Sequence, residues 1–192
     1  MIRTGIYGGS FNPIHTGHTQ LADALCRQGW IDELWFMVSP HNPLKEQRDL
    51  LADDDRLKLA RLAVEGLENQ FVSDFEFHLP RPSYMVNTLK ELQQDYPNRE
   101  FVLVIGADNW QVFDHWYHAD EILSRHRIIV YPRPGYDIDT TLLPPGVEMA
   151  DTPLIDISST QLREQIKQGT CQGDFLHPKV WKAIQENDFY RT

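Results

Sequence analysis

Short apolar runs rich in β-branched and aromatic residues alternate along this chain with segments whose apolar residues recur at helical spacing. That alternation is the pattern of βαβ units built around a parallel sheet. Strands are predicted at Arg3–Tyr7, Glu33–Val38, Phe71–Glu76, Glu100–Ile105, Arg127–Tyr131 and Val147–Ala150. Several are apolar almost throughout, as expected for strands covered on both faces by helices. Between them the spacing predicts helices over His15–Gln28, Asp53–Val64, Ser83–Gln94, Asp108–Ser124 (interrupted near His115–Tyr117), Ser158–Gln168 and Pro178–Asn187. Gly29, Gly66 and Gly169 stand just beyond three of these as stop signals. The Pro- and Gly-rich stretch Pro132–Gly146 reads as a surface loop, because strand and helix signals resume soon after it. There is no internal repeat and no low-complexity segment. The expectation is one α/β domain of 192 residues, with a core over 1–150 and a small helical portion over 151–192.

Composition narrows the partners. Eighteen Lys and Arg against 28 Asp and Glu give a net charge of −10. A general nucleic-acid binder needs a broad basic face to displace counterions, so a nucleic-acid polymer is not expected as a partner. Small phosphorylated ligands remain compatible, since one pocket needs only a few well-placed cations. Cys26 and Cys171 supply neither a disulfide framework nor enough thiolates for a zinc cluster, and read as buried apolar residues. Leu34–Val38 and Phe101–Ile105 are only strand-sized, so no membrane span is expected. Met1–Tyr7 lacks the apolar region and cleavage site of a signal peptide, which makes the cytoplasm the expected location. Homo-oligomerisation stays open.

The first strand runs into Gly8-Gly9-Ser10-Phe11-Asn12-Pro13-Ile14-His15-Thr16-Gly17-His18 and then a helix. Strand, glycine-rich turn and helix N-terminus together make an anion site, with backbone N–H groups and the helix dipole aimed at the ligand. Gly8 and Gly9 let a ligand approach the backbone closely. No Gly-Lys-Ser/Thr follows, so this is not a P-loop, and Ser39-Pro40 stands where a dinucleotide fold would carry its acidic residue. His15 and His18, spaced i, i+3, can direct both rings the same way. Either they donate to a phosphate at the helix start, or one caps the helix and the other packs; a metal site lacks a third ligand nearby.

Near the other end stands Ile157-Ser158-Ser159-Thr160-Gln161-Leu162-Arg163. Ser158 and Gln161 fit a capping box, but a cap leaves Arg163, one turn further on, unexplained. The hydroxyls, amides and guanidinium would form a second anion site. Gly8–His18 resembles the HxGH segment of the adenylyl- and cytidylyltransferase superfamily, and Ile157–Arg163 resembles its C-terminal Ile-Ser-Ser-Thr-x-x-Arg segment. The resemblance implies a Rossmann-like doubly wound parallel sheet with a small helical C-terminal portion.

Further segments resemble the bacterial nicotinate (nicotinamide) mononucleotide adenylyltransferase family over nearly the whole chain. Lys45, in His41-Asn42-Pro43-Leu44-Lys45, matches that family's substrate lysine. Pro82-Ser83-Tyr84-Met85-Val86-Asn87-Thr88-Leu89 follows its Pro-Ser-Tyr-Thr-x-Asp-Thr-Leu segment, with Met85 and Asn87 replacing Thr and Asp. Ile105-Gly106-Ala107-Asp108 matches a segment that contacts adenosine and a ribose in relatives, although Asp108 read alone is equally a helix cap. Trp116-Tyr117 falls where relatives stack an aromatic ring on pyridine, whereas Trp110 and Phe113 read as core. Arg133 matches as well, beside the plainer reading of an exposed loop arginine.

What the resemblance implies is transfer of AMP from ATP to nicotinate mononucleotide, with Mg²⁺ carried on the ATP phosphates and no metal held by the protein. It places His15, His18 and Arg163 at the reacting phosphates. Gly8, Gly9, Ser10, Phe11, Ile105, Gly106, Arg133, Ser158 and Ser159 are expected on ATP. Lys45, Tyr84, Met85, Asp108, Trp116 and Tyr117 are expected on the mononucleotide. The other readings are the amide mononucleotide as main substrate, pantetheine-phosphate adenylyl transfer, and a nucleotide sensor without catalysis.

Overall fold

The computed structural model describes residues 1–40 and 49–191. Six strands form one sheet: β1 (Ile2–Gly9), β2 (Glu33–Val38), β3 (Gln70–Ser73), β4 (Arg99–Gly106), β5 (Ile128–Tyr131) and β6 (Val147–Met149). All adjacent pairs are parallel and the order is β3-β2-β1-β4-β5-β6. This is the order of a doubly wound, Rossmann-type sheet, whose connections reverse direction between β1 and β4. Beyond the carboxyl ends of those two strands a crevice opens without need of any insertion.

Helices cover both faces. On one, α1 (Thr16–Arg27), α2 (Asp53–Val64), α6 (Ser159–Lys167) and α7 (Pro178–Glu186) bury Leu21, Leu25, Leu59, Leu162 and Ile184 against Phe36, Val102 and Val104. On the other, α3 (Met85–Asp95) and α5 (Ala119–Arg125) bury Leu89, Leu92 and Ile122 against Ile6, Leu103 and Val130. The two-sided burial explains why the strand sequences read as continuous apolar runs.

Two predicted elements differ from the structure. The third strand stops at Ser73, and Phe75–His78 form a 3₁₀ turn. The Ser73 hydroxyl accepts the Phe75 N–H at 3.2 Å and draws the chain off the sheet edge. The segment Asp108–Ser124 is interrupted near His115–Tyr117 as expected, but falls into three pieces instead of two: α4 (Ala107–Trp110), a 3₁₀ turn at Phe113–His115, and α5. His118, at φ 51°, takes the left-handed conformation that ends one piece and starts the next. Gly106, not Asp108, is the N-cap residue there. Cys26 and Cys171 are half-buried, packed at the margin of the first core. Phe113 is core as expected, while Trp110 is half-buried against it. Among the described residues no helix is long and apolar enough to cross a membrane.

Candidate active site

The crevice between β1 and β4 holds a polar cleft of about 510 Å³ and a smaller, mostly apolar slot of about 110 Å³. Gly8, Gly9, Ser39 and Asn109 line both, so the two are continuous. The cleft brings together both ends of the sequence. Gly8, Gly9, Ser10, Phe11, His15 and His18 come from the loop after β1, and Ser158, Ser159 and Arg163 from the start of α6. Asp108 and Arg133 form the opposite wall. The slot is lined by Tyr84, Met85, Trp116 and Tyr117. Ile105 and Gly106 are buried behind the wall and line neither cavity. A Cβ on Gly106 would stand 3.0 Å from Arg133 Cγ and 3.1 Å from Tyr131 Cζ, so the glycine is what lets those side chains reach the wall. Lys45 lies outside the described residues.

The loop after β1 is held open by ties to its carbonyls. Arg56 Nη1 donates to Ser10 O at 2.7 Å, Arg163 Nη1 to Asn12 O at 2.9 Å and Ser159 Oγ to Pro13 O at 2.9 Å. Drawing these oxygens back removes acceptors that would repel an anion. Phe11 sits at φ 46°, a conformation that costs a non-glycine residue about 1–2 kcal/mol. Its ring offsets this by packing edge-on against Tyr7, His18 and Phe36 at 5.1–5.6 Å between centroids.

The two histidines are arranged as a stack, with ring centroids 3.7 Å apart and planes 25° from parallel. His18 Nδ1 accepts the His15 backbone N–H at 3.1 Å. A neutral His18 ring therefore carries its proton on Nε2, which makes that nitrogen a donor. His15 is only 5% exposed, and its Nδ1 is buried without a hydrogen-bond partner. Burial, with the nearby Arg133 charge, pushes its pKa down to about 3, so this ring is neutral at ordinary pH.

The amides at the start of α1 are more occupied than the sequence suggests. Thr16 N–H donates to Phe175 O at 2.9 Å and His18 N–H to His15 O at 3.0 Å. Two of the first amides of α1 are therefore spent inside the protein. At α6 the capping box is present: Ser158 Oγ accepts from Gln161 N–H at 3.1 Å, and Gln161 Oε1 from Ser158 N–H at 3.2 Å. Arg163 extends past this cap into the cleft.

Several lining groups had no distinctive sequence signal. Tyr7 and Tyr131 share a hydrogen bond of 2.8 Å between their hydroxyls, and burial pushes Tyr131 up to about 12 and Tyr7 further. Both are protonated and neutral, and both line the cleft. Asp108 Oδ1 makes no hydrogen bond and lies 3.7 Å from Arg133 Nε, an ion pair that leaves its acceptor capacity unspent. In the slot, Tyr84 and Tyr117 rings lie 4.6 Å apart, and Trp116 Nε1 is buried without a partner. Glu76 is buried at its base, accepting from Thr88 Oγ1 at 2.7 Å; burial raises its pKa.

A parallel sheet of this order with imidazole, hydroxyl and guanidinium donors converging at its switch point is the architecture of a nucleotidyltransferase. The cytidylyltransferase-like family model matches residues 6–165. A Bacteroides fragilis protein named "Probable nicotinate-nucleotide adenylyltransferase" is 55% identical over 97% of this chain and 93% of its own length. A protein of the same name from Flavobacterium johnsoniae is 41% identical over 99% of this chain and 100% of its own. The solved structure of Plasmodium falciparum nicotinic acid mononucleotide adenylyltransferase complexed with NaAD matches with a TM-score of 0.84 at 22% identity. It covers 99% of this chain and 98% of that one, and shows the shared fold. The chain belongs to the nicotinate-nucleotide adenylyltransferase family.

Proposed function

We propose that this enzyme transfers AMP from ATP to nicotinate mononucleotide, giving deamido-NAD and pyrophosphate. The observation that carries the reading is the joining of a polar, donor-lined cleft to a narrow aromatic slot across Gly8 and Gly9. One suits a polyphosphate and the other a flat ring, and the attacking and accepting phosphates would meet between them.

The 5′-phosphate of the mononucleotide is largely dianionic near neutrality, its second pKa being about 6, so the nucleophile needs no general base. An oxygen of that phosphate forms a bond to the α-phosphorus of ATP while the bond to the bridging oxygen breaks, and the electron pair leaves with pyrophosphate. The chain's part is positioning and stabilising charge. His18 Nε2–H and the neutral His15 ring serve the α-phosphate oxygens, and Arg163 the departing phosphates. Trp116 and Tyr117 stack on the pyridine, and Asp108 accepts from ribose hydroxyls.

Mg²⁺ arriving with the triphosphate supplies neutralisation of the β- and γ-phosphate charge. The cleft's imidazoles, hydroxyls and guanidinium groups fit phosphate oxygens. Among the described residues no three His, Cys, Asp or Glu stand together as a cage for an ion.

The test is pyrophosphate release from ATP and Mg²⁺ with nicotinate mononucleotide, nicotinamide mononucleotide or phosphopantetheine. Highest kcat/KM with the acid mononucleotide supports the proposal. Preference for the amide or for phosphopantetheine overturns the substrate assignment, and no release with any of them leaves a nucleotide-binding protein without this activity.

A further inference from the structure

Asn12, in the wall of the cleft, uses both ends of its carboxamide. It is 4% exposed. Its Nδ2 donates to Asp49 O at 2.8 Å, and its Oδ1 accepts from Leu51 N–H at 3.2 Å and from Tyr190 O–H at 2.8 Å. Its backbone carbonyl takes the 2.9 Å bond from Arg163. One residue therefore joins the loop after β1, the chain entering α2, the arginine of α6 and the segment following α7.

Tyr190 is the distant member of this set, 178 residues from Asn12 in sequence. It holds φ 65°, a left-handed conformation, and its ring packs against the margin of the first core beside Phe189. Burial raises its pKa far above the ordinary value, so the hydroxyl remains a donor at any working pH. A carboxamide rotates about one bond. With the Tyr190 hydroxyl in place, both Asn12 Oδ1 lone pairs are engaged and its N–H and C=O ends cannot interchange. Without it, one of the two bonds that distinguish these ends is gone. The carbonyl that Arg163 grips belongs to the same residue.

We infer that Tyr190 is a positioning residue for adenylyl transfer, holding Asn12 and through it Arg163 in the arrangement the cleft requires. It touches neither cavity, so its effect travels through Asn12. The inference rests on the adenylyl-transfer reading above.

The experiment compares wild type, Tyr190→Phe, Asn12→Ala and the double variant, measuring kcat, KM for each substrate, and amide hydrogen exchange at Leu51. Tyr190→Phe should lower kcat by about tenfold, the worth of one lost buried hydrogen bond, with both KM values within about twofold. Leu51 exchange should accelerate. In the Asn12→Ala background the same change should cost nothing more, because the pathway is already cut. An unchanged kcat, or a full additional loss in the double variant, overturns the inference, as does a lowered Tm alone. If wild type releases no pyrophosphate the adenylyl-transfer reading fails, and with it Tyr190's placement in that reaction; Leu51 exchange then reports only whether Tyr190 holds Asn12.

Discussion

The neutral, buried His15 makes a quantitative prediction about stability and pH. Its pKa falls from 6.5 in an unfolded chain to about 3 in the folded one. Below 6.5 the unfolded state takes up a proton that the folded state refuses, so acidification favours unfolding. The contribution is fully present above 6.5 and is lost progressively as pH falls toward 3. Each pH unit inside that window removes about 1.4 kcal/mol, so moving from about pH 7.5 to about pH 5 removes about 2 kcal/mol through this residue alone. Other groups titrate too, and a comparison isolates the one in question. His15→Asn keeps a residue suited to an N-cap and removes the titration. Urea unfolding of both proteins at the two pH values gives the difference of differences. Wild type should lose about 2 kcal/mol more than the variant over this interval, whatever the variant's stability at the higher pH. Equal losses would mean that His15 is protonated in the folded state. The role given to a neutral imidazole would then be wrong.

The other expectations concern single contacts. His18→Ala should lower kcat by about 10²–10³-fold while KM for ATP changes only a few-fold, because an oriented donor matters most where charge develops; steady-state kinetics decide this, and equal losses in both would make His18 a binding residue only. Trp116→Ala should raise KM for the mononucleotide by about tenfold and leave KM for ATP unchanged, as measured by varying each substrate in turn. Arg56→Met strips the buried ties to Ser10, Ser39 and Leu51 carbonyls and leaves Asp53 with only Arg81. It should cost about 3–5 kcal/mol in urea unfolding, since four bonds made by a fully buried guanidinium are lost together.

The parts of this molecule readable in advance are those whose cause is local. Runs such as Phe101–Ile105 announce a covered strand by composition alone, and Ser158 with Gln161 announces a cap because its two halves are three residues apart. Gly8–His18 reads as a turn into a helix for the same reason, and its residues line the cleft. Features that the sequence does not announce depend on the topology. Asp53–Val64 reads as an ordinary amphipathic helix, and nothing in it marks Arg56 as fully buried beneath two loops that only the β1–β2 pairing brings side by side. Tyr7 and Tyr131 look like strand residues until β4 is inserted between their strands and the longer reach of two phenols closes the gap. An interruption near His115–Tyr117 is readable in the sequence, but the left-handed angle of His118 is not, because periodicity registers apolar spacing and not the backbone angle of one residue.

The same distinction explains how a chain of net charge −10 can receive anions. At long range its field weakly repels them, so attraction has to be short-range. In the site proposed above, much of it comes from groups that carry no charge: loop amides, a neutral imidazole, and a second imidazole whose tautomer is set by a backbone N–H. Such donors attract only when their acceptor neighbours point elsewhere. Here the Ser10, Asn12 and Pro13 carbonyls are each turned back by a side chain from α2 or α6. Arg163 and Arg56 therefore act on the loop's geometry as much as through their charge, and a lysine at either place would keep the charge while losing the planar fork that reaches these carbonyls.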